Sequence, residues 1–477
     1  MFSPYVVGGH TVRKSKELVG GFEKFAFESG LSILMYVSKA SIYNGKFLDD
    51  LMWFIDGLDE VEDQHALDII DEVEHLVGAD EEGHNSLMVG LLRKGVVIHH
   101  GSVPLEVRFL VEDFIRGGFA RICFATSTLA QGVNMPFDIV WLENMRFQGE
   151  GDGERSLSFK NLIGRAGRLS SEEKFDYGFV YTKNPKLFSR RINDVYFLKE
   201  MSLVDSPEDC PPDSRELVDS IRDGTFNDEL HIPQSKADRL RDNSVIKAAF
   251  DILEIFYANG GDVRSNIRGE HNRDRREAVK YNLRLIFEAS IGRPLLYGEQ
   301  AVFDNAISIF LQLIQGASFR ENVGLRYSRI TKRDEGRAGF AQFTQGASKL
   351  PNSKLENRFS LFDQVLARNV SYDAVVYDTY DYLDQVISFS LSDVFIAAFK
   401  IYQQVSGDAR AQKVIELLRF GTNDSMNMLL IRYGFSSEQI AEITPYIRYV
   451  NESDIVFKET VAEAPLYIKK IVEWYLP

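Results

Sequence analysis

Between residue 31 and about residue 185, short apolar runs of strand-forming residues alternate with helical patterns, and this alternation constrains the fold more than any other feature. The runs are Ser32–Ser38, Val96–Ile98, Ala120–Ala125, Ile139–Leu142 and Gly178–Tyr181. They are too short for helices and are apolar without a break, as strands buried on both faces are. Between them, Val107, Leu110, Val111, Phe114 and Ile115 follow i, i+3, i+4, i+7, i+8 spacing, and Gly117-Gly118 supplies a stop. Strand, helix, strand in succession predicts an α/β fold with a doubly wound parallel sheet, which binds ligands beyond the carboxyl ends of its strands.

The pattern changes on either side. Residues 1–30 are punctuated by glycine and read as a lead-in with a short helix over Glu17–Phe27. The lobe itself is expected over 31–195. From 196 to 235 the composition turns to Ser, Pro and Asp, notably Ser206-Pro207-Glu208-Asp209-Cys210-Pro211-Pro212-Asp213-Ser214, and reads as a linker. Over 236–477 the strand signal fades and helical patterns dominate, at Val245–Tyr257, Val279–Ala289, Ala301–Ile314, Val386–Val405 and Gln412–Phe420. A mainly α-helical accessory domain is expected there, and Asn427–Tyr433 with Ser436–Ile443 reads as a small helix pair around Gly434.

The net charge is −15 over 477 residues, so a uniformly basic nucleic-acid coat is excluded and any phosphate-binding surface must be a local patch. Two cysteines, Cys123 and Cys210, make no disulfide framework and fit a reducing compartment, so a cytoplasmic location is expected. No apolar stretch after the N-terminus approaches the roughly 18 residues that a membrane span needs, and the expectation is of no membrane partner.

The chemistry is carried by Ala125-Thr126-Ser127-Thr128-Leu129-Ala130-Gln131-Gly132-Val133-Asn134-Met135-Pro136 and, one strand later, Asn161-Leu162-Ile163-Gly164-Arg165-Ala166-Gly167-Arg168. In this order they resemble motifs V and VI of the second RecA-like lobe of superfamily 2 helicases, in the Ski-like and DEAD/DEAH-box branch. His99-His100-Gly101, with Pro104, Arg108, Glu112 and Phe114, resembles the segment that precedes them, and Ile33–Ser38 resembles the lobe's first strand. The resemblance covers residues 30 to 185. Four residues alone prove little, since Gly-Arg-Ala-Gly recurs at Gly336–Gly339 without a companion motif.

The resemblance implies roles residue by residue. Arg165 and Arg168, three apart on a helix, share a face and resemble arginine fingers, permanently charged forks that stabilise the charge spreading over a γ-phosphate in transfer. Gln131, Gly132, Asn134, Asn161 and Gly164 would face the nucleotide; Asn161 stands where the family has glutamine and is one methylene shorter. Thr126, with its hydroxyl and the amides that follow, would hold a phosphate of a nucleic acid strand, or else cap a helix. His100 and Gly101 would form a turn near that strand; a metal role lacks an accompanying cluster of ligands.

Such a machine also needs a phosphate loop, Gly-x-x-x-x-Gly-Lys-Ser/Thr, and an Asp-Glu-x-His box for magnesium. Neither motif occurs in the sequence. Ile69-Ile70-Asp71-Glu72-Val73-Glu74-His75 resembles the box with one residue inserted, but Ala66, Ile69, Ile70, Val73, Leu76 and Val77 keep helical phase, so an acidic surface helix is expected. The chain thus resembles the C-terminal part of a helicase, with ATP and Mg2+ bound mainly by a first RecA-like lobe supplied in cis or in trans.

Residues 264–337 hold 14 Lys/Arg against 9 Asp/Glu. Arg273, Arg275 and Arg276 head this basic region and are candidates for single-stranded DNA or RNA, against the alternative of a solvated charged face. Two functions remain open: an ATP-dependent helicase part, or a non-enzymatic nucleic-acid- or partner-binding module derived from one.

Overall fold

The computed structural model describes residues 24–126, 137–143, 145–147, 152–164, 179–182, 184–195, 210–332, 339–358, 360–422, 424–435 and 437–475. The chain divides into two compact units, Met1–Glu200 with Arg368–Tyr380, and Met201–Ala367 with Asp381–Pro477.

The first unit is built on a five-stranded sheet in the order β2-β3-β1-β4-β5, from β1 (Ile33–Tyr36), β2 (Val96–His99), β3 (Ile122–Ala125), β4 (Ile139–Leu142) and β5 (Phe179–Thr182). Every pairing is parallel, with Ile33 facing Ile122 on one side and Ile139 on the other. The α/β parallel class expected from the sequence is the class found. All four residues of each of β1 to β4 are buried, which is why these segments read as unbroken apolar runs; the edge strand β5 is only partly covered.

Helix α1 (Gln64–Val77) begins at Asp63, whose carboxylate accepts the amides of His65 and Ala66, and ends at Gly78 with φ 72°. It buries Ala66, Ile69, Ile70, Val73 and Val77 and exposes Asp71 and Glu72, so the box-like stretch is an amphipathic helix, as its phase requires. Helix α2 (Leu87–Leu92) starts at Ser86, and α3 (Leu105–Arg116) buries Val107, Val111, Phe114 and Ile115. Helix α4 (Asp152–Ile163) turns Ser156, Phe159 and Leu162 inward; the Phe159 ring meets Phe188 of α5 (Pro185–Asn193) edge-on at 5.2 Å.

The last piece of this unit arrives from far along the chain. Tyr372–Asp381 is helical, and its first turn is fastened by four hydrogen bonds. The Tyr372 hydroxyl donates to the carbonyls of Val77 and Gly78, at 2.7 and 3.1 Å, where α1 ends. Asp373 accepts from the Ser86 hydroxyl at 2.6 Å and the Met88 amide at 2.8 Å, so it caps α2 from outside that helix. Tyr377 is fully buried, its ring edge-on to His100 at 4.4 Å.

The second unit is helical. Its main core joins α6 (Asn243–Phe256), α7 (Arg273–Ile291), α8 (Tyr297–Leu313), α10 (Ser392–Ser406) and α11 (Arg410–Phe420); α9 (Phe319–Thr331) lies between α8 and α10 in sequence. A smaller core gathers Leu430, Ile440, Ile443, Ile455 and Ile468, so the expected helix pair, Ser425–Arg432 and Ser437–Ile443, packs into it. Within 210–235 lie a helix, Arg215–Arg222, and a two-stranded ribbon pairing Phe226–Asn227 with Ile232–Pro233. At Gly298 a Cβ would come within 2.6 Å of the carbonyl oxygens of Leu355 and Asn357, so only glycine lets that backbone lie on α8.

One expectation is corrected here. Tyr372–Ser406 is a single helical stretch of 35 residues with mean hydropathy 1.3 in its most apolar window, long and apolar enough by length and composition to cross a membrane. Asp381, Asp384 and Asp393 break the run in the sequence and hide this. More than half of that window, 56%, is buried inside the protein, with Phe395 and Phe399 in the main core of the helical unit.

Candidate functional site

Parallel strands end at one edge of their sheet, so the connections that follow β1, β2, β3 and β4 all leave from the same edge. The Val37 amide donates to Ala125 at 2.9 Å, and the Thr126 amide donates to the His99 carbonyl at 3.4 Å. The first residues after β1, β2 and β3 are thereby held side by side.

Behind this edge the paired histidines are embedded. His99 Nε2 lies 3.1 Å from Glu112 of α3, and both side chains are buried. His100 Nδ1 accepts the Ser102 amide at 3.2 Å, which leaves the proton on Nε2. Its ring is 1% exposed and lies among Tyr43 and Tyr377. Burial first, then the charges of Lys39, His99 and Arg108, push the His100 pKa down to about 3, so the ring is neutral. It is a packed wall of the edge, and the adjoining Gly101 is partly exposed.

Thr126 is 8% exposed at the end of β3. Asn161 and Gly164 lie on the exposed side of α4 and just past its end, opposite the inward face formed by Ser156, Phe159 and Leu162. At Gly164 a Cβ would press to 3.2 Å from the Lys160 carbonyl. Gln131, Gly132, Asn134, Arg165 and Arg168 lie outside the described residues, as do 333–338 with the second Gly-Arg-Ala.

In the basic region, Arg275 Nη1 donates to the Asn266 side chain at 3.0 Å, and Arg276 Nη1 donates to the carbonyls of Ile267 and Gly269 at 2.8 and 2.5 Å. Both are half-buried, and they close off the helix Val263–Ile267 that precedes α7. Arg273 alone of the three is fully exposed, 3.9 Å from Glu270. The charge signal in the sequence is real, but two of its three leading arginines act as backbone staples.

Sequence reasoning passed over Asp373. Burial raises its carboxyl to about 6 even though hydrogen bonds from Ser86, Met88 and Leu87 oppose the shift. Among the described residues, no group of three or more His, Cys, Asp or Glu side chains is arranged to hold a metal ion. Both cysteines are free and buried.

Part of the chain is helicase-related by sequence. It is 33% identical over 122 residues to Hachiman protein HamB of Bacillus cereus, covering 26% of this chain and 11% of that protein. It is 34% identical over 114 residues to the ATP-dependent DNA helicase Hel308 of Caldivirga maquilingensis, covering 20% and 15%. With the antiviral helicase SKI2 of Saccharomyces cerevisiae it is 38% identical over 81 residues, covering 16% and 6%. The matched region thus spans under a sixth of each of these relatives. No family model matches the chain.

Proposed function

We propose that this chain is the C-terminal part of an ATP-dependent helicase of superfamily 2: the second RecA-like lobe, followed by a linker and a helical accessory domain. It works with a first lobe in cis or in trans that binds most of ATP and Mg2+. The observation that carries the reading is the Thr126–His99 hydrogen bond, which sets the starts of two helicase-like motifs side by side at the carboxyl edge of a parallel sheet.

In this reading Arg165 and Arg168 reach the γ-phosphate, and Asn161, Gly164, Gln131, Gly132 and Asn134 face the nucleotide. Thr126 and Gly101 meet the phosphates of a single strand of DNA or RNA, with His100 supporting the turn from behind. Arg273 adds a phosphate contact on the helical unit. The chemistry needs nothing of this chain beyond positioning and positive charge, because phosphoryl transfer is carried by electrostatic stabilisation of a loose transition state. The motor acts in the cytoplasm, where two buried thiols stay reduced.

The test is nucleic-acid-stimulated ATP hydrolysis. The chain alone is expected to show none, and the chain joined to a first lobe is expected to turn over. Hydrolysis by the chain alone, abolished by Arg165→Ala, would refute the division of the site between two lobes.

A further inference from the structure

In the helical unit, α7, α8 and α9 line an open cleft of about 440 Å³, a volume in the range of small-ligand sites. Its lining is polar and mixed, and includes Glu277, Lys280, Tyr281 and Arg284 from α7, Asp304 from α8 and Arg329 from α9. In a chain of net charge −15, this cleft sets three cations against two carboxylates, Glu277 and Asp304, around an exposed aromatic ring. We infer that this cleft holds one nucleotide of a single nucleic acid strand, with the base on Tyr281, the phosphate between Lys280 and Arg329, and the amino edge of the base on Asp304.

The Tyr281 ring is 58% exposed, and Arg284 lies 5.8 Å from its centroid. An aromatic face open to solvent, with a guanidinium beside it, is what stacks an unpaired base. Lys280 is held at 3.0 Å by Glu277, one turn earlier in α7, which fixes its ammonium at the cleft, and Arg329 is exposed. Two cations lining one cleft suit a phosphate, which carries its charge on several oxygens.

Asp304 decides the rest. A carboxylate in a phosphate-binding cleft works against affinity unless something other than phosphate meets it. It accepts hydrogen bonds and donates none, and its two oxygens match adjacent donors. Guanine alone among the common bases presents two adjacent N–H donors on its pairing edge; cytosine and adenine present one amino group, and thymine and uracil only an imino group. Burial lifts the Asp304 carboxyl, Arg284, Lys280 and Arg358 pull it back, and the neighbouring Glu277 adds to the lift. The cleft therefore prefers guanine at the position it holds.

The inference rests on the proposed function insofar as it requires strand binding, and the experiment separates the two. Anisotropy of a labelled thymidine oligonucleotide of about 12 nucleotides, with a central guanosine or without, is measured on the full chain. The guanosine strand should bind about tenfold tighter. Tyr281→Ala, at an exposed position that leaves the fold intact, should weaken both strands about tenfold. Asp304→Asn should erase the guanosine preference and leave affinity for the all-thymidine strand unchanged, which a merely structural aspartate would not do. Binding by the parent with both variants indistinguishable from it overturns the cleft and leaves the proposed function standing. No strand binding by the parent overturns both. Guanosine monophosphate bound as tightly as the oligonucleotide, with the same dependence on Tyr281, overturns the assignment to a strand.

Discussion

The two units partner their buried charges differently. The lobe draws ionisable groups inside: Asp373, His99, His100 and Glu112 are each under 10% exposed, and each has a hydrogen bond to another of them or to backbone, while the second ring nitrogens of His99 and His100 have none among the described residues. The helical unit leaves Tyr281 and Arg329 open and directs Arg275 and Arg276 to the Asn266, Ile267 and Gly269 carbonyls, and its buried Glu299 is met by a guanidinium, Arg293, at 2.7 and 2.8 Å. A parallel sheet has both faces covered, so a polar group that positions a strand-end loop must sit beneath it and be partnered there. A helix bundle has an outer surface on every member, and its charges need not be buried. Substitutions in the lobe should therefore register as loss of turnover or stability, and those at the open side chains of the helical unit as altered binding.

The largest effect expected from this contrast is at the arginines after α4. With a first lobe present, Arg165→Ala or Arg168→Ala should lower ATP turnover by about 10³-fold or more while the melting temperature stays within a degree or two. A sharp fall in melting temperature with turnover preserved would make them structural, like Arg275 and Arg276.

Next come the buried titratable groups of the lobe, which sharpen the comparison through pH. For Asp373 the folded pKa, about 6, lies above the unfolded value near 4, so between these the folded state binds more protons. Its contribution to stability is full below pH 4 and is lost as pH rises through 6. A shift of about two units corresponds to roughly 3 kcal/mol. His100 runs the other way: its folded pKa, about 3, lies below the unfolded value near 6.5, so stability is lost as pH falls from 6.5 toward 3. Asp373→Asn, which keeps an acceptor for the Met88 amide, should gain stability relative to the parent as pH rises from 4 to 6, measured by urea midpoint. A constant difference across that range would deny the buried carboxyl its assigned state.

A smaller effect is expected at Arg276→Ala. Losing its bonds to the Ile267 and Gly269 carbonyls should cost about 1–2 kcal/mol, with the salt dependence of strand binding unchanged. The smallest belongs to Arg273→Ala, exposed and weakly paired, which should leave stability within about 0.5 kcal/mol and reduce the slope of log affinity against log salt by about 0.7 if it meets a phosphate.

What the sequence discloses follows the same division. Strands β1 to β5 are legible because burial on both faces writes an unbroken apolar run, and the five expected segments match the five strands to within a few residues. Helix α1 is legible from its phase, which separates it from the acidic box it resembles. The embedding of His100 is not legible, because the rings that cover it, Tyr43 and Tyr377, stand far from it in sequence and carry no periodic signal. The docking of Tyr372 and Asp373 on the ends of α1 and α2 is hidden for the same reason: an apolar helix face declares that it is buried, not against what. The cleft around Tyr281 and Asp304 joins two residues 23 apart on different helices, and only tertiary packing brings them together.

The return of residues 368–380 to the first unit also bears on how the molecule is made. Residues up to 200 leave the ribosome long before the segment that fastens the ends of α1 and α2, and 167 residues separate the two parts. At ordinary elongation rates that interval is on the order of 10 to 30 seconds. For that time the nascent lobe carries an uncovered seat for Tyr372, Val375, Val376 and Tyr377, all buried in the finished protein. A stretch of apolar surface exposed for seconds is what chaperones recognise and what aggregation exploits, so the lobe's quality control is coupled to completion of a part of the chain translated well after its own sheet.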